Sequence, residues 1–343
     1  MLKLDARRRI LLRTVVEEHV RTAEPVGSEH AALRGRLAVS PATIRSALAS
    51  MEELGLLTHP HTSAGRIPTD RGYRVYVDML PKADPLSGSA RQKIRRRLGD
   101  PVEEPGDVAN EAARVLAGMT GYASVVAAPG LAEQMFSSLH LVPLGERRAL
   151  AVIATDAGAL QGRSIELPEG VMPDDLEHLS RAITHRLQGS RVGALTHQRL
   201  EQVLGEASHH HRWLEEVKAW LWRDLARGMR PQIRVAGARH LLAEPEFKSP
   251  DRATRLFEAL EDESVLDRVL AAVPEEGVWI LIGEENPHEQ LRACSLIMAA
   301  YRAGDRRGGT VGILGPTRMR YRSAVTAVRC VAESLSEAMR PSA

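Results

Sequence analysis

At 343 residues the chain is too long for one compact domain, and its 43% hydrophobic and 26% charged content is that of an ordinary soluble globular protein. A net charge of +2 excludes a polycation, so any nucleic-acid surface has to be local, and aromatics at 3% require an aliphatic core. Two cysteines, Cys294 and Cys330, without CxxC spacing argue against a disulfide framework and for a reducing cytoplasm, while no apolar run of about 18 residues is present to span a membrane.

The N-terminal "MLKLDARRRILLRTVVEEHV" reads as an amphipathic helix rather than a signal peptide, running from Asp5 to about Thr22 with Leu12, Val16 and Val20 on one face. After "AEPVG", Ser28 offers an N-cap for a short second helix. Ser40-Pro41 is a stronger start signal, a capping hydroxyl followed by proline at the first helical position, and the third helix stops at Gly55. Then come "LLTH", the polar loop "THPHTSAGRIPT" and a helix from about Thr69 to Leu80. This order predicts a winged helix-turn-helix over residues 1–80.

"PKADPLSGSARQK" and "DPVEEPG" bracket an expected linker over 81–106. Its basic run of Arg91, Lys93, Arg95, Arg96 and Arg97 reads as a solvated helix face more readily than as a nucleic-acid clamp. A helix from Val108 to Met119 leads into apolar runs that read as strands: "YASVVAAP", "SLHLVPL", "RALAVIATD" and "ALQGRSIEL". Helical signals dominate from Pro173 to about Leu270. Strand character returns in "GVWILIG", "CSLIMAAY" and "GTVGILG" before a final helix from Tyr321 to Met339. The expected fold class is α+β, one domain of strands and helices carrying an inserted helical segment.

The third helix carries the chemistry. Ile44, Leu48 and Met51 form the stripe that packs on the first helix. The opposite side presents Ala42, Thr43, Arg45 and Ser46 beyond the cap Ser40. Small residues let a backbone enter the major groove, and hydroxyls and arginine reach phosphates and base edges. A solvated face with no ligand more often carries Glu and Lys. In the loop, His61, Thr62, Ser63 and Arg66 are phosphate donors and Gly65 permits a tight turn; Arg66 has the minor groove as a second destination. Residues 1–80 hold twelve Lys/Arg against nine Asp/Glu, a modest local surplus.

"EPVGS", "VSPATIRSALASMEELGLL" and "PHTSAGRIPTDRGYRVYVD", with "IGEEN" and "GTVGILGPTRMRYRSAV" near the C-terminus, closely resemble the bacterial heat-inducible transcription repressor family, HrcA. The resemblance spans nearly the whole chain. It implies a winged helix-turn-helix at 1–80, a GAF-like domain from 107–171 and 248–343, and a mainly helical dimerisation segment inserted at 172–247. It also implies a homodimer repressing chaperone operons at an inverted-repeat operator, with the chaperonin system as modulator. Ser46 and Ala47 stand where the family usually places Asn and an acidic residue, and Glu29 follows Ser28 where it usually has arginine. Operator preference is therefore expected to differ while Arg45 and the wing motif are kept.

Other signals are weaker. His209–His211 are consecutive and point about 100° apart on a helix, so they cannot close one metal site. Gly308, Gly309, Gly312 and Gly315 lack the Lys-Ser/Thr of a P-loop and read as turns around a buried strand. Trp213, Trp220 and Trp222 fit core or interface better than a stacking platform. No catalytic constellation stands out, so no enzyme, cofactor or metal is expected. The alternative kept open is a ligand-gated regulator whose GAF-like domain senses a small molecule.

Overall fold

The computed structural model describes residues 4–36, 40–60, 65–81, 91, 92, 94, 96, 97, 105–128, 130–145, 147–156, 160–207, 219, 222, 223, 232–304 and 306–339. Helices and sheets are mixed, an α+β architecture, and the chain separates into two compact units.

The first unit takes in residues 1–102, 107–127 and 233–343. Its N-terminal part is α1 (Ala6–Thr22), α2 (Ser28–Arg34) and α3 (Pro41–Glu53), the hairpin β1 (Leu57–Thr58) and β2 (Ile67–Pro68), and α4 (Asp70–Asp78). Asp5 caps α1 by accepting from the Arg8 amide at 2.8 Å. α2 begins one residue earlier than its sequence suggests. Gly27 is the N-cap and its carbonyl accepts from Ala31 at 2.9 Å, which leaves Ser28 inside the helix without a capping bond. Thr69 caps α4 through the Gly72 amide at 3.0 Å. Gly72 is glycine for packing: an added Cβ would lie 2.0 Å from the Leu56 carbonyl oxygen.

The expected linker is in part packed structure. Its described residues from 91 to 97 are helical, Ile94 is buried, and Arg91 pairs with Glu333 at 3.6 Å. After α5 (Pro105–Thr120) comes a five-stranded sheet, ordered β7 (Gln232–Ala236), β3 (Ala123–Ala128), β10 (Arg306–Pro316), β9 (Cys294–Ala303) and β8 (Val278–Ile282), with β3, β10, β9 and β8 antiparallel to their neighbours in that run. One face packs α9 (Pro250–Glu261) and α10 (Glu263–Ala271) through Leu256, Leu266, Val269, Leu296 and Met298. The short α8 (Arg239–Leu242) contributes Leu241 to this core, while α11 (Tyr321–Ala338) closes the chain.

The second unit is centred on residues 128–232. It holds the antiparallel sheet β4 (Phe136–Pro143), β5 (Arg148–Thr155) and β6 (Leu160–Glu166), then α6 (Pro173–Leu187) and α7 (His197–Ala207). The boundaries 107–171 and 172–247 drawn from the sequence therefore differ from the compact units. β4 to β6 bury Phe136, Leu139, Leu141, Ala151 and Ile153 against Leu176, Leu179, Ile183 and Leu187 of α6, so they share a core with the helices that follow them. β4 would be an open edge, but Ser180 and Thr184 of α6 accept from the Leu141 and Leu139 amides at 3.0 Å each.

Candidate nucleic-acid interface

The start of α3 is built by its cap. Ser40 accepts from the Thr43 amide at 3.2 Å, and its hydroxyl lies 2.9 Å from that of Thr43, so the Thr43 side chain serves the cap. Ile44, Leu48 and Met51 are buried at 0%, 3% and 0% exposure, which rotates Ala42, Arg45, Ser46 and Ala49 outward. Arg45 is exposed and makes no ion pair with any described residue. A helix with short exposed side chains and one extended guanidinium at its N-terminal end can approach a duplex closely, and its uncapped N–H groups favour a phosphate. On the flank of α3, Arg8 Nη2 donates to Ser50 Oγ at 3.0 Å, bringing a first-turn arginine of α1 beside it.

Gly65 and Arg66 immediately precede the return strand β2. Arg66 exchanges two backbone hydrogen bonds with Val26, both 2.9 Å, extending the hairpin by a third short segment. Gly65 is needed for close approach rather than for a special turn, because an added Cβ would fall 2.4 Å from the Val26 carbonyl carbon. The Arg66 guanidinium turns inward: Nε lies 2.8 Å from Glu52 Oε2, and the side chain is 25% exposed. His59 Nδ1 bonds the other oxygen of Glu52, so one carboxylate at the end of α3 gathers both strands of the hairpin. His61, Thr62 and Ser63 lie outside the described residues, as do His209–His211, Trp213 and Trp220. Trp222 packs half-buried against the core of the second unit.

Charge also joins the first two helices. Glu18 accepts from Arg21 at 2.7 Å and contacts His30 at 2.8 Å and Arg34 at 3.4 Å. Hydrogen bonds from Arg21 and then His30 hold its carboxyl down at about 2, against the desolvation that raises it. Glu52 and Arg8 escaped the sequence reading, since nothing local marks a helix-end glutamate as the partner of a strand arginine. The spacing of Glu18 and Arg21 could have been found as an i,i+3 pair.

Two cavities bear on the ligand-gated alternative. Between the five-stranded sheet and α10 about 10 Å³ remains, walled by Val125, Leu266, Val269, Leu296 and Met298. A space of about 570 Å³ lies against Ile10 and Arg13 of α1, Val75 and Tyr76 of α4 and Arg322 of α11. Among the described residues no cluster of His, Cys, Asp or Glu suits a metal ion, and no helix is long and apolar enough to cross a membrane.

Comparison with known proteins agrees with this architecture. The HrcA protein C terminal domain family matches residues 106–325. A heat-inducible transcription repressor HrcA from Moorella thermoacetica is 36% identical over 339 residues, covering 98% of each chain. Its counterpart from Symbiobacterium thermophilum is 36% identical over 338 residues, covering 98% of this chain and 99% of its own. A crystal structure of a hypothetical protein superposes with a TM-score of 0.69 at 24% identity, covering 98% of this chain and 99% of the other, which supports the fold.

Proposed function

The chain belongs to the HrcA family of heat-inducible transcription repressors, and from that premise we propose that it represses chaperone operons in the cytoplasm by binding an inverted-repeat operator as a homodimer, without catalysis. α1 to α4 with the hairpin act as a winged helix-turn-helix, the five-stranded unit as a GAF-like domain, and the unit around 128–232 as the dimerising insertion. The carrying observation is the outer face of α3: Ala42, Arg45 and Ser46 exposed over a fully buried opposite stripe. Ser40 and Thr43 fix its N-terminal end, Arg45 and Ser46 read base edges, and Gly65 and Arg66 with His61, Thr62 and Ser63 form the wing beside the backbone.

Because Arg66 is engaged by Glu52, its contribution is to hold the wing as well as to meet phosphate. Dimerisation is supported by the sheet face of the second unit opposite α6, where Val142 is 47% exposed and Val152 lies half-buried. A single reading helix contacts few base pairs, so linked copies are what give tight binding. The relatives, which carry the name of a heat-inducible repressor, favour this reading over the ligand-gated one. The chaperonin system then acts as modulator of the competent state. Footprinting on the chaperone promoters of the source genome tests this, with protection of two symmetric half-sites expected. Protection of one half-site, or of none, contradicts it. Val152→Asp is expected to give monomers in sedimentation; a full dimer would move the interface elsewhere.

A further inference from the structure

The motifs "IGEEN" and "GPTRMRY" stand more than 200 residues from the reading helix, yet both meet the N-terminal segment directly. From α4, Arg74 donates to Glu285 Oε1 at 2.7 Å and, through Nη2, to the Ile280 carbonyl at 2.6 Å. Asp70 Oδ2 accepts from the Glu284 amide at 3.0 Å. Gly283 has φ +52°, and an added Cβ would lie 1.8 Å from that same carboxylate oxygen, so the motif is shaped to admit Asp70. On the second motif, Arg318 is 11% exposed and bonds Glu246 and Glu244 while its Nη1 donates to the Val20 carbonyl at 3.1 Å. That carbonyl belongs to the last turn of α1, where a cation also meets the negative end of the helix dipole. Between the two clusters Tyr73 packs against Tyr321 with ring centroids 5.9 Å apart.

We propose that the segments around Ile282–Asn286 and Thr317–Tyr321 form a socket that fixes the orientation of the DNA-reading segment, making Arg74, Glu285 and Arg318 positioning residues for operator binding. This rests on the repressor reading above. Two reading helices carried on freely swinging segments tolerate many half-site separations; helices held at a fixed angle tolerate one, because DNA rotates a half-site away with each added base pair. Closure is not secured by apolar packing alone. The Tyr73–Tyr321 packing is accompanied by the charged contacts of Arg74, Asp70 and Arg318, which tie the same segments together.

The test is binding of the full chain, Glu285→Gln and Arg318→Lys to the operator, to the same operator with its half-sites moved apart by about half a helical turn, roughly 5 bp, and to a single half-site. The unaltered chain is expected to lose tenfold or more on the shifted operator. Both variants should bind the original and shifted operators within about threefold of each other, with half-site affinity unchanged and the chain folded by circular dichroism. Variants that discriminate spacing as sharply as the unaltered chain overturn the inference, as does an unaltered chain indifferent to spacing. If the unaltered chain binds no operator, the repressor reading falls and this inference with it.

Discussion

Two faces of the first 80 residues put similar side chains in opposite environments. On α3, Arg45 and its short neighbours are exposed and make no ion pair among the described residues. On α4, Arg74 and Asp70 are tied to Glu285 and to the Glu284 amide, and Tyr73 is 2% exposed. A charge left in water is available to an outside partner, since surface pairs contribute little to stability. A charge taken out of water requires fixed partners, and those partners impose orientation. One segment thus leaves one face in water and ties the other to the rest of the chain.

Breaking the packed face is expected to give the largest effect. Gly72→Ala places a Cβ 2.0 Å from the Leu56 carbonyl oxygen and should cost about 3 kcal/mol or more in urea unfolding. A cost under about 1 kcal/mol would show that α4 shifts away from Leu56 freely, so that this contact does not fix its seat. Arg66 lies between the extremes. Arg66→Ala leaves Glu52 with His59 alone, so stability should fall by up to about 1 kcal/mol, and the salt slope of DNA binding should drop by about one if the guanidinium also meets a phosphate. An unchanged melting curve with an unchanged slope would deny it both roles.

Ser40→Ala removes the α3 cap and is expected to cost about 1 kcal/mol, seen in thermal unfolding, with a matching loss of DNA affinity. The smallest effect is at Glu18 and appears as a change with pH. Its carboxyl sits at about 2, below the usual 4.5, so its stabilisation is complete above about pH 4.5 and is lost as pH falls through about 2. Glu18→Gln should therefore lie below the unaltered chain at neutral pH and converge with it on acidification. Parallel curves down to pH 2 would mean that the Arg21 and His30 contacts contribute nothing.

The parts legible in the sequence are those set by local chemistry. Ser40-Pro41, the Ile44–Leu48–Met51 stripe and the stop at Gly55, with φ +69°, are written within sixteen residues and recur in the structure as read. β7 was missed because "QIRVA" is a short edge strand whose half-exposed residues give no clean alternation. The assignment of strands to two sheets was also hidden. β3 pairs with β10 across more than 180 residues, and nothing in "YASVVAAP" distinguishes that partner from β4 nearby. Partner choice between side chains was least legible: Arg66 reads as a free donor until Glu52 and His59 are seen beside it. The exposure of Ala42, Arg45 and Ser46 followed from periodicity alone.

Competition binding of the unaltered chain and Arg45→Ala, on operator and random duplexes over a salt series, tests the role of the α3 face most directly. The account predicts that Arg45→Ala loses about 1–3 kcal/mol of discrimination, with most of the loss on operator and little on random DNA. Equal loss on both duplexes, or none on either, would contradict it.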